Sequence, residues 1–324
     1  MRCSASVVLS LVLIAAAHAD HAFAQGYPNR TIRIVVPFAP GGGVDVLARL
    51  VSIKLSELVR QPVVVDHRPG AGGNLGADVV AKSPPDGYTI LLTTSGHASS
   101  PALYRALPFD PVKDFVPVTK VIATQFILVA SPKFSAKSLS EMIALAKSKP
   151  GSLNYGSSGT GAPLHLAMEM FKHAAGIDIV HVPYRGDAPI LTALIAGDVQ
   201  VAFVPQPTGL AHVQGNLVHA YAVTGSGRSI ALPDVPTIAE AGISGLEDGS
   251  WIGMFVPAGT PPDIVLAIQK DVARTLRVPE VRDRILAVGQ EPVGNAPADF
   301  DAMFKADIAK FSRIVEQAHI PKLD

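Results

Sequence analysis

Thr31-Ile32-Arg33-Ile34-Val35-Val36-Pro37-Phe38-Ala39-Pro40-Gly41-Gly42-Gly43-Val44-Asp45 is the stretch that decides the fold. The β-branched run Thr31 to Val36 reads as a strand, and a glycine-rich turn follows it. Beyond the turn, apolar residues recur at Val44, Leu47, Ala48, Val51, Leu55 and Leu58, the spacing of a helix that lays one stripe on a sheet. Strand, glycine turn and helix make one unit of a parallel α/β sheet. The unit recurs at Val63 to Val65, with Arg68-Pro69-Gly70-Ala71-Gly72-Gly73 and a helix from about Asn74. A third unit begins at Tyr88 to Thr93.

A second set of elements follows. Ser138-Leu139-Ser140-Glu141 has capping-box spacing ahead of a helix that Pro150-Gly151 ends. Leu153-Asn154-Tyr155 then enters Gly156-Ser157-Ser158-Gly159-Thr160-Gly161, and a helix over 163–174 turns Leu164, Ala167, Met168 and Phe171 inward. Segments 179–182, 189–196, 199–204 and 219–224 complete the set. There is no exact tandem repeat and no low-complexity linker, so the expected fold is α/β with two interleaved lobes, each a mainly parallel sheet flanked by helices. The chain is expected to cross near Thr119 to Thr124 and return near Thr224 to Gly227. This assigns 25–122 and 226–324 to lobe 1 and 123–225 to lobe 2, with helices at 261–276, 279–288 and 297–318 rejoining lobe 1. Two crossings make a hinge with a cleft between the lobes.

The start of the chain reads as an address. Arg2, the apolar run Val7 to Ala17 and the small-x-small site Ala22-Phe23-Ala24 predict a signal peptide over 1–24, cleaved after about Ala24, and export to the periplasm. A retained membrane anchor is the alternative, but the run is short for a bilayer. Cys3 is the only cysteine of 324 residues and precedes the apolar run, which disfavours lipid attachment. The remaining 300 residues then hold no disulfide, thiol nucleophile or cysteine-ligated metal. With 27 basic and 27 acidic residues the chain is formally neutral, and nothing suggests a nucleic-acid surface.

The chemistry lies in the two glycine-rich loops, one per lobe. Helix N-termini carry unsatisfied N–H groups and a partial positive charge, and glycine lets an anion approach the backbone. Two such ends facing one cleft would clamp a carboxylate. At ~1.5 kcal/mol per N–H, five or six bonds approach the ~8 kcal/mol of a micromolar site before association costs. The alternative is that these glycines only make tight turns.

Enzymatic signatures fail on the letters. There is no G-x-x-x-x-G-K-[ST], no glycine-flanked nucleophile elbow and no H-E-x-x-H, and Gly70-Ala71-Gly72-Gly73-Asn74-Leu75 breaks the dinucleotide pattern at Leu75. His165 and Glu169 lie one helical turn apart, without a third metal ligand. Asp45 reads as a cap of the first helix. Tyr184 and Arg185 stand where side chains reach a cleft rim, and Trp251 with Ile252, Met254 and Phe255 reads as a core strand.

Val35 to Asp45 with Ala48-Arg49 resembles the opening signature of Bug-type (TctC-like) solute receptors of tripartite tricarboxylate transporters. Arg68 to Gly73, Asp86-Gly87-Tyr88-Thr89-Ile90-Leu91, Leu107 to Pro111, Asn154 to Ser157, His165-Leu166, Val182 to Gly186, Leu232 to Thr237, Ala239 to Gly242, Trp251 to Gly253 and Pro257 to Pro261 follow in family order. The resemblance implies a two-lobed Venus-flytrap binding protein of the periplasm. It implies a receptor that holds a small-molecule carboxylate and delivers it to membrane transporter subunits, without enzymatic activity, cofactor or metal, and working as a monomer. It places ligand contacts on the loops matching Phe38 to Asp45 and Gly156 to Thr160. The candidate ligand-binding residues are therefore Phe38, Pro40, Gly41, Gly42, Gly43, Asp45, Ser95, His97, Gly156, Ser157, Ser158, Gly159, Thr160, Tyr184, Arg185 and Gly186. Ser100, Ala162 and Gln200 depart from the family's frequent asparagine, serine and aspartate. The competing classes are a ligand-sensing partner of a membrane signalling protein and an organic-acid enzyme using His97 or His165 as base.

Overall fold

The strand Ile32–Val36 (β1) is buried almost throughout, as expected of a β-branched run covered on both faces. In the computed structural model, which describes residues 26–324 except Arg185, Glu247 and Asp248, β1 pairs in parallel with Val63–His67 (β2) on one side and Thr89–Thr94 (β3) on the other. The chain then adds Ser250–Pro257 (β10) antiparallel to β3, Phe115–Thr124 (β4) antiparallel to β10, and the short edge strand Gln290–Pro292 (β11). The sheet order is β11-β4-β10-β3-β1-β2.

Helices cover both faces of this sheet. On one lie Gly43–Val59 (α1), Pro262–Arg277 (α8) and Pro279–Ala287 (α9), with Leu47, Val51, Leu55, Ile264, Ile268, Val281 and Ile285 packed on Ile34 and Val36. On the other lie Asn74–Ala81 (α2), Gly96–Leu103 (α3) and Pro297–Gln317 (α10), where Phe300 and Phe304 meet Trp251 and Phe255. Trp251 is core, as its strand pattern predicts, and its indole N–H donates to Asp307 at 2.7 Å.

The second sheet, of order β7-β6-β8-β5-β9, is built from Phe126–Ala130 (β5), Asn154–Ser157 (β6), Val180–Pro183 (β7), Val201–Pro205 (β8) and His219–Val223 (β9). Leu139–Ser148 (α4), Pro163–Ala175 (α5), Asp187–Ala196 (α6) and Gln206–Gln214 (α7) accompany it. The capping box forms: Ser138 Oγ accepts from Glu141 N–H at 3.2 Å, and the Glu141 carboxylate accepts from Lys137 N–H at 2.7 Å.

One residue, Gln125, separates β4 of the first sheet from β5 of the second. The return departs from the sequence reading. Leu232, Ile238, Ile243 and Leu246, which the expected boundary assigns to lobe 1, are buried in the core of the second sheet. Ile238 N–H donates to Val223 O at 2.9 Å, which ties this stretch along β9. Its apolar side chains are shielded by that sheet before the chain re-enters the first at Ser250.

Candidate functional site

β1 delivers the first loop, Pro37 to Gly42, to the start of α1. Residues 39–43 are exposed, and Gly41 holds φ +89°, a conformation open to glycine at little cost. Asp45, in the first turn of α1, is 4% exposed. Its carboxylate accepts from Gly41 N–H at 2.8 Å, from Arg49 Nε at 2.9 Å, and lies 2.7 Å from His67 Nε2. Burial opposes its charge, but the bonds from Gly41, Arg49 and His67 outweigh it and hold the carboxyl below its ordinary range. Asp45 therefore shapes the loop from behind, as the capping reading expects. His67 was not singled out from the sequence; it arrives because β2 pairs with β1, Val36 opposite His67.

β6 delivers the second loop to α5, whose N-cap, Ala162, has no side-chain cap. Ser157 is buried, and its hydroxyl bonds to His181 Nε2 at 2.6 Å and to Gly159 N–H at 3.2 Å. Gly161 N–H donates to His165 Nδ1 at 3.0 Å. Burial, reinforced by the His181 ring with its centroid 4.2 Å away, pushes His165 down to about 4. His165 is thus a neutral acceptor that props the loop, and the Glu169 carboxylate takes Tyr155 Oη at 2.5 Å and Lys172 Nζ at 2.9 Å. His181, also missed in the sequence, faces Tyr155 through the β6–β7 register.

These bonds revise the expected clamp. The N–H groups of Gly41, Gly159 and Gly161 are already engaged, so the donors left for a guest are drawn from Gly42, Gly43, Ser158, Thr160 and the first turns of the two helices.

Tyr184 stands beside the second loop: its N–H donates to Ser157 O at 2.8 Å, and its ring lies 3.4 Å from where a Cβ on Gly156 would be. Gly186 N-caps α6 with φ +101°. Arg185 lies outside the described residues. Ser95 is buried at the start of α3, its hydroxyl 2.7 Å from Ser250 Oγ.

His97 requires a correction. Its ring is buried among Phe109, Phe115, Phe255 and Phe304, with centroid separations of 4.9 to 5.6 Å, and its Nε2 has no hydrogen-bond partner among the described residues. Burial drives its pKa down to about 3. The helix turns this side chain into the aromatic core and away from any ligand, so it is neither a binding residue nor an available base.

The second loop seats directly on α3. A Cβ on Gly161 would fall 2.9 Å from Leu103 Cδ2, and one on Gly96 would fall 4.0 Å from Pro163 Cγ. The first loop reaches the same helix indirectly, through Phe38 packed 3.6 Å from the Gly73 position and Tyr104 Oη against Gly72. Two larger hollows lie elsewhere, one of about 580 Å³ against the hinge at Thr124 and Gly225 and one of about 570 Å³ between α5 and α10; neither is lined by either loop. A small void of about 30 Å³ joins Ser95 to Pro163. Backbone donors are better evidence of an anion site than hollow size, since their chemistry selects the guest.

Gly161 also carries φ +78°. Gly161→Ala is expected to cost about 1–3 kcal/mol of stability, since the methyl meets Leu103 and the backbone resists. Urea denaturation measures it; an unchanged midpoint would mean that the loop does not seat on α3.

A model of the family described as the tripartite tricarboxylate transporter family receptor matches residues 47–320. BugT of Bordetella pertussis is 33% identical over 312 residues, covering 96% of each chain. Among solved structures, R. palustris Rpa4515 with adipate matches with TM-score 0.82 and 36% identity, over 92% of this chain and 100% of its own. The periplasmic binding protein BugD matches with TM-score 0.79 and 31% identity, over 92% and 100%. MatC from Rhodopseudomonas palustris with bound malate matches with TM-score 0.77 and 33% identity, over 89% and 100%.

Proposed function

This chain belongs to the tripartite tricarboxylate transporter family of receptors, and from that premise we propose that it captures a small organic acid by its carboxylate between the two lobes and delivers it unchanged to the membrane subunits of a tripartite carrier. It acts as a monomer in the periplasm, after removal of the segment ending at about Ala24, which lies outside the described residues. One observation carries the reading: β1 and β6, one in each sheet, end in glycine-rich loops that open α1 and α5, and both loops abut α3 or its direct neighbours.

On this reading the carboxylate is held by N–H groups of Gly42, Gly43, Ser158 and Thr160, with Phe38, Pro40, Ser95, Tyr184 and Gly186 walling the guest. Gly41, Asp45, Gly156, Ser157 and Gly159 form the loops that aim those donors, and Arg185 stands at the rim. Four such bonds contribute roughly 6 kcal/mol before association costs. The remainder comes from apolar contact as the lobes close. The relatives solved with adipate and malate support a carboxylate as the guest class.

A thermal-shift screen of aliphatic di- and tricarboxylates, acidic amino acids and aromatic acids tests it. A ligand at ~100 times its Kd is expected to stabilise the fold by ~2.7 kcal/mol, and chromatography should recover the acid intact. The absence of any shift across the screen, or consumption of the acid, would defeat the receptor reading.

A further inference from the structure

Helix α5 carries two apolar faces, and its own lobe uses one of them. Leu164, Ala167, Met168 and Phe171 are buried in the core of the second sheet. Leu166 belongs elsewhere: it is 1% exposed, and the buried residues it clusters with are Leu103, Val315 and Ile320, all from the first lobe. Phe311 and Ile314 of α10 pack around the same cluster. A leucine of the second lobe is thus enclosed by α3, by the end of α10 and by the segment beyond it. That segment is tied down in turn, since Leu323 N–H donates to Leu103 O at 2.7 Å and Leu323 O accepts from Arg105 N–H at 3.0 Å.

The place of this contact gives it consequence. Leu166 lies one turn into α5, the helix that the second glycine loop opens, and just before it Gly161 abuts Leu103 and Pro163 abuts Gly96. The donors of Ser158 and Thr160 therefore ride on an element whose leucine is held by the first lobe. The apolar seam is short. Further along, α5 and α10 part around the hollow of about 570 Å³ lined by Lys172, His173, Arg313 and Gln317. The chain passes between the sheets at Gln125 and again between Val223 and Ser250. A rotation about those crossings that parts the second loop from α3 must draw Leu166 out of its cluster into water, which the hydrophobic effect opposes.

We propose that Leu166 is a positioning residue, the second-lobe half of an apolar latch that holds the lobes shut and keeps the second set of donors facing the first. Leu103, Val315 and Ile320 form the receiving half. The latch biases the lobes towards the shut form before any guest arrives, and a guest adds to that bias. Its effect on a bound acid rests on the receptor reading above, whereas the shutting of the lobes does not. An acid held between the lobes leaves when the latch opens, so loosening the latch speeds departure.

Two measurements on the purified protein test it: the radius of gyration in solution scattering without ligand, and the rate at which radiolabelled adipate, or malate if adipate does not bind, is lost to an unlabelled chase. Leu166→Ala is expected to enlarge the ligand-free radius and to speed loss of the acid about tenfold. Leu166→Met, of similar volume, should restore both quantities, and Ile320→Ala, made on the opposite lobe, should reproduce the alanine effect. A change that only weakened the second lobe's own core would not be copied from the first lobe. Wild-type values of either quantity in Leu166→Ala overturn the proposal, as does an Ile320→Ala protein that behaves as wild type. If circular dichroism shows Leu166→Ala unfolded, Ile320→Ala decides by the same two readings. If neither acid binds, the ligand-free radius alone decides the latch, and the thermal-shift screen separately decides the receptor reading.

Discussion

Asp45→Ala is expected to lower the unfolding free energy by about 3 kcal/mol and to weaken binding of the cognate acid by about a hundredfold. The carboxylate is buried and joins three partners from separate parts of the chain: the Gly41 N–H in the loop, Arg49 one turn along α1, and His67 at the end of β2. Its removal releases the Gly41 N–H and leaves the partly buried His67 ring without its acceptor. The loop loses the bond that fixes its curvature, so the neighbouring Gly42 and Gly43 donors lose their aim. For a chain of this size the change amounts to roughly 5 °C in the melting temperature. Asp45→Asn keeps an acceptor for Gly41 and should fall between the two. The carboxyl is held below its ordinary pKa in the fold, so its contribution is present at neutral pH and is lost only as pH falls below about 4. An alanine variant with wild-type melting temperature and affinity would show that the loop's shape does not depend on this residue.

The second large effect is an acid lability stored at His97. Burial drives its pKa down to about 3 in the folded protein, against about 6.5 in an unfolded chain. The unfolded chain takes up a proton that the fold refuses, so stability is full above about pH 6.5 and falls as pH drops towards 3. By pH 4 the loss is about 3 kcal/mol. His165, pushed down to about 4, adds a loss of similar size down to pH 4 and little more below it. His97→Leu is expected to remove about half of this slope and, by removing a buried nitrogen without a partner among the described residues, to stabilise the protein at pH 7 by about 1 kcal/mol. Melting temperatures of both proteins from pH 7 to pH 4 measure it. Affinity for the acid should not change; a collapse of binding in His97→Leu would restore the histidine to the site.

Much of the architecture is visible in the letters because it follows from local chemistry. The β-branched run at Ile32 to Val36, the turn at Gly41 to Gly43 and the stripe from Val44 to Leu55 each report on a few consecutive residues, and the structure contains them within a residue or two. The same holds for the capped helix after Ser138 and for the helices that open at Pro163, Pro262, Pro279 and Pro297. The helix Gln206–Gln214 has no counterpart in the sequence reading, since Pro207 and Gly209 are poor helix formers and its apolar stripe is weak. The stretch from Ser226 to Leu246 has little regular structure, so its side chains could not reveal which lobe they serve.

The sequence by itself determined the two sets of strand, glycine turn and helix, the positions of both donor-rich loops and the family that combines them, because propensity, period and motif are properties of neighbours in the chain. Only the tertiary structure decided that His97 points into an aromatic core, that His67 reaches Asp45 across 22 positions, and that three loop N–H groups are engaged from within. Those outcomes depend on strand register and on which face of a helix meets the sheet, relations between distant residues that no local pattern encodes.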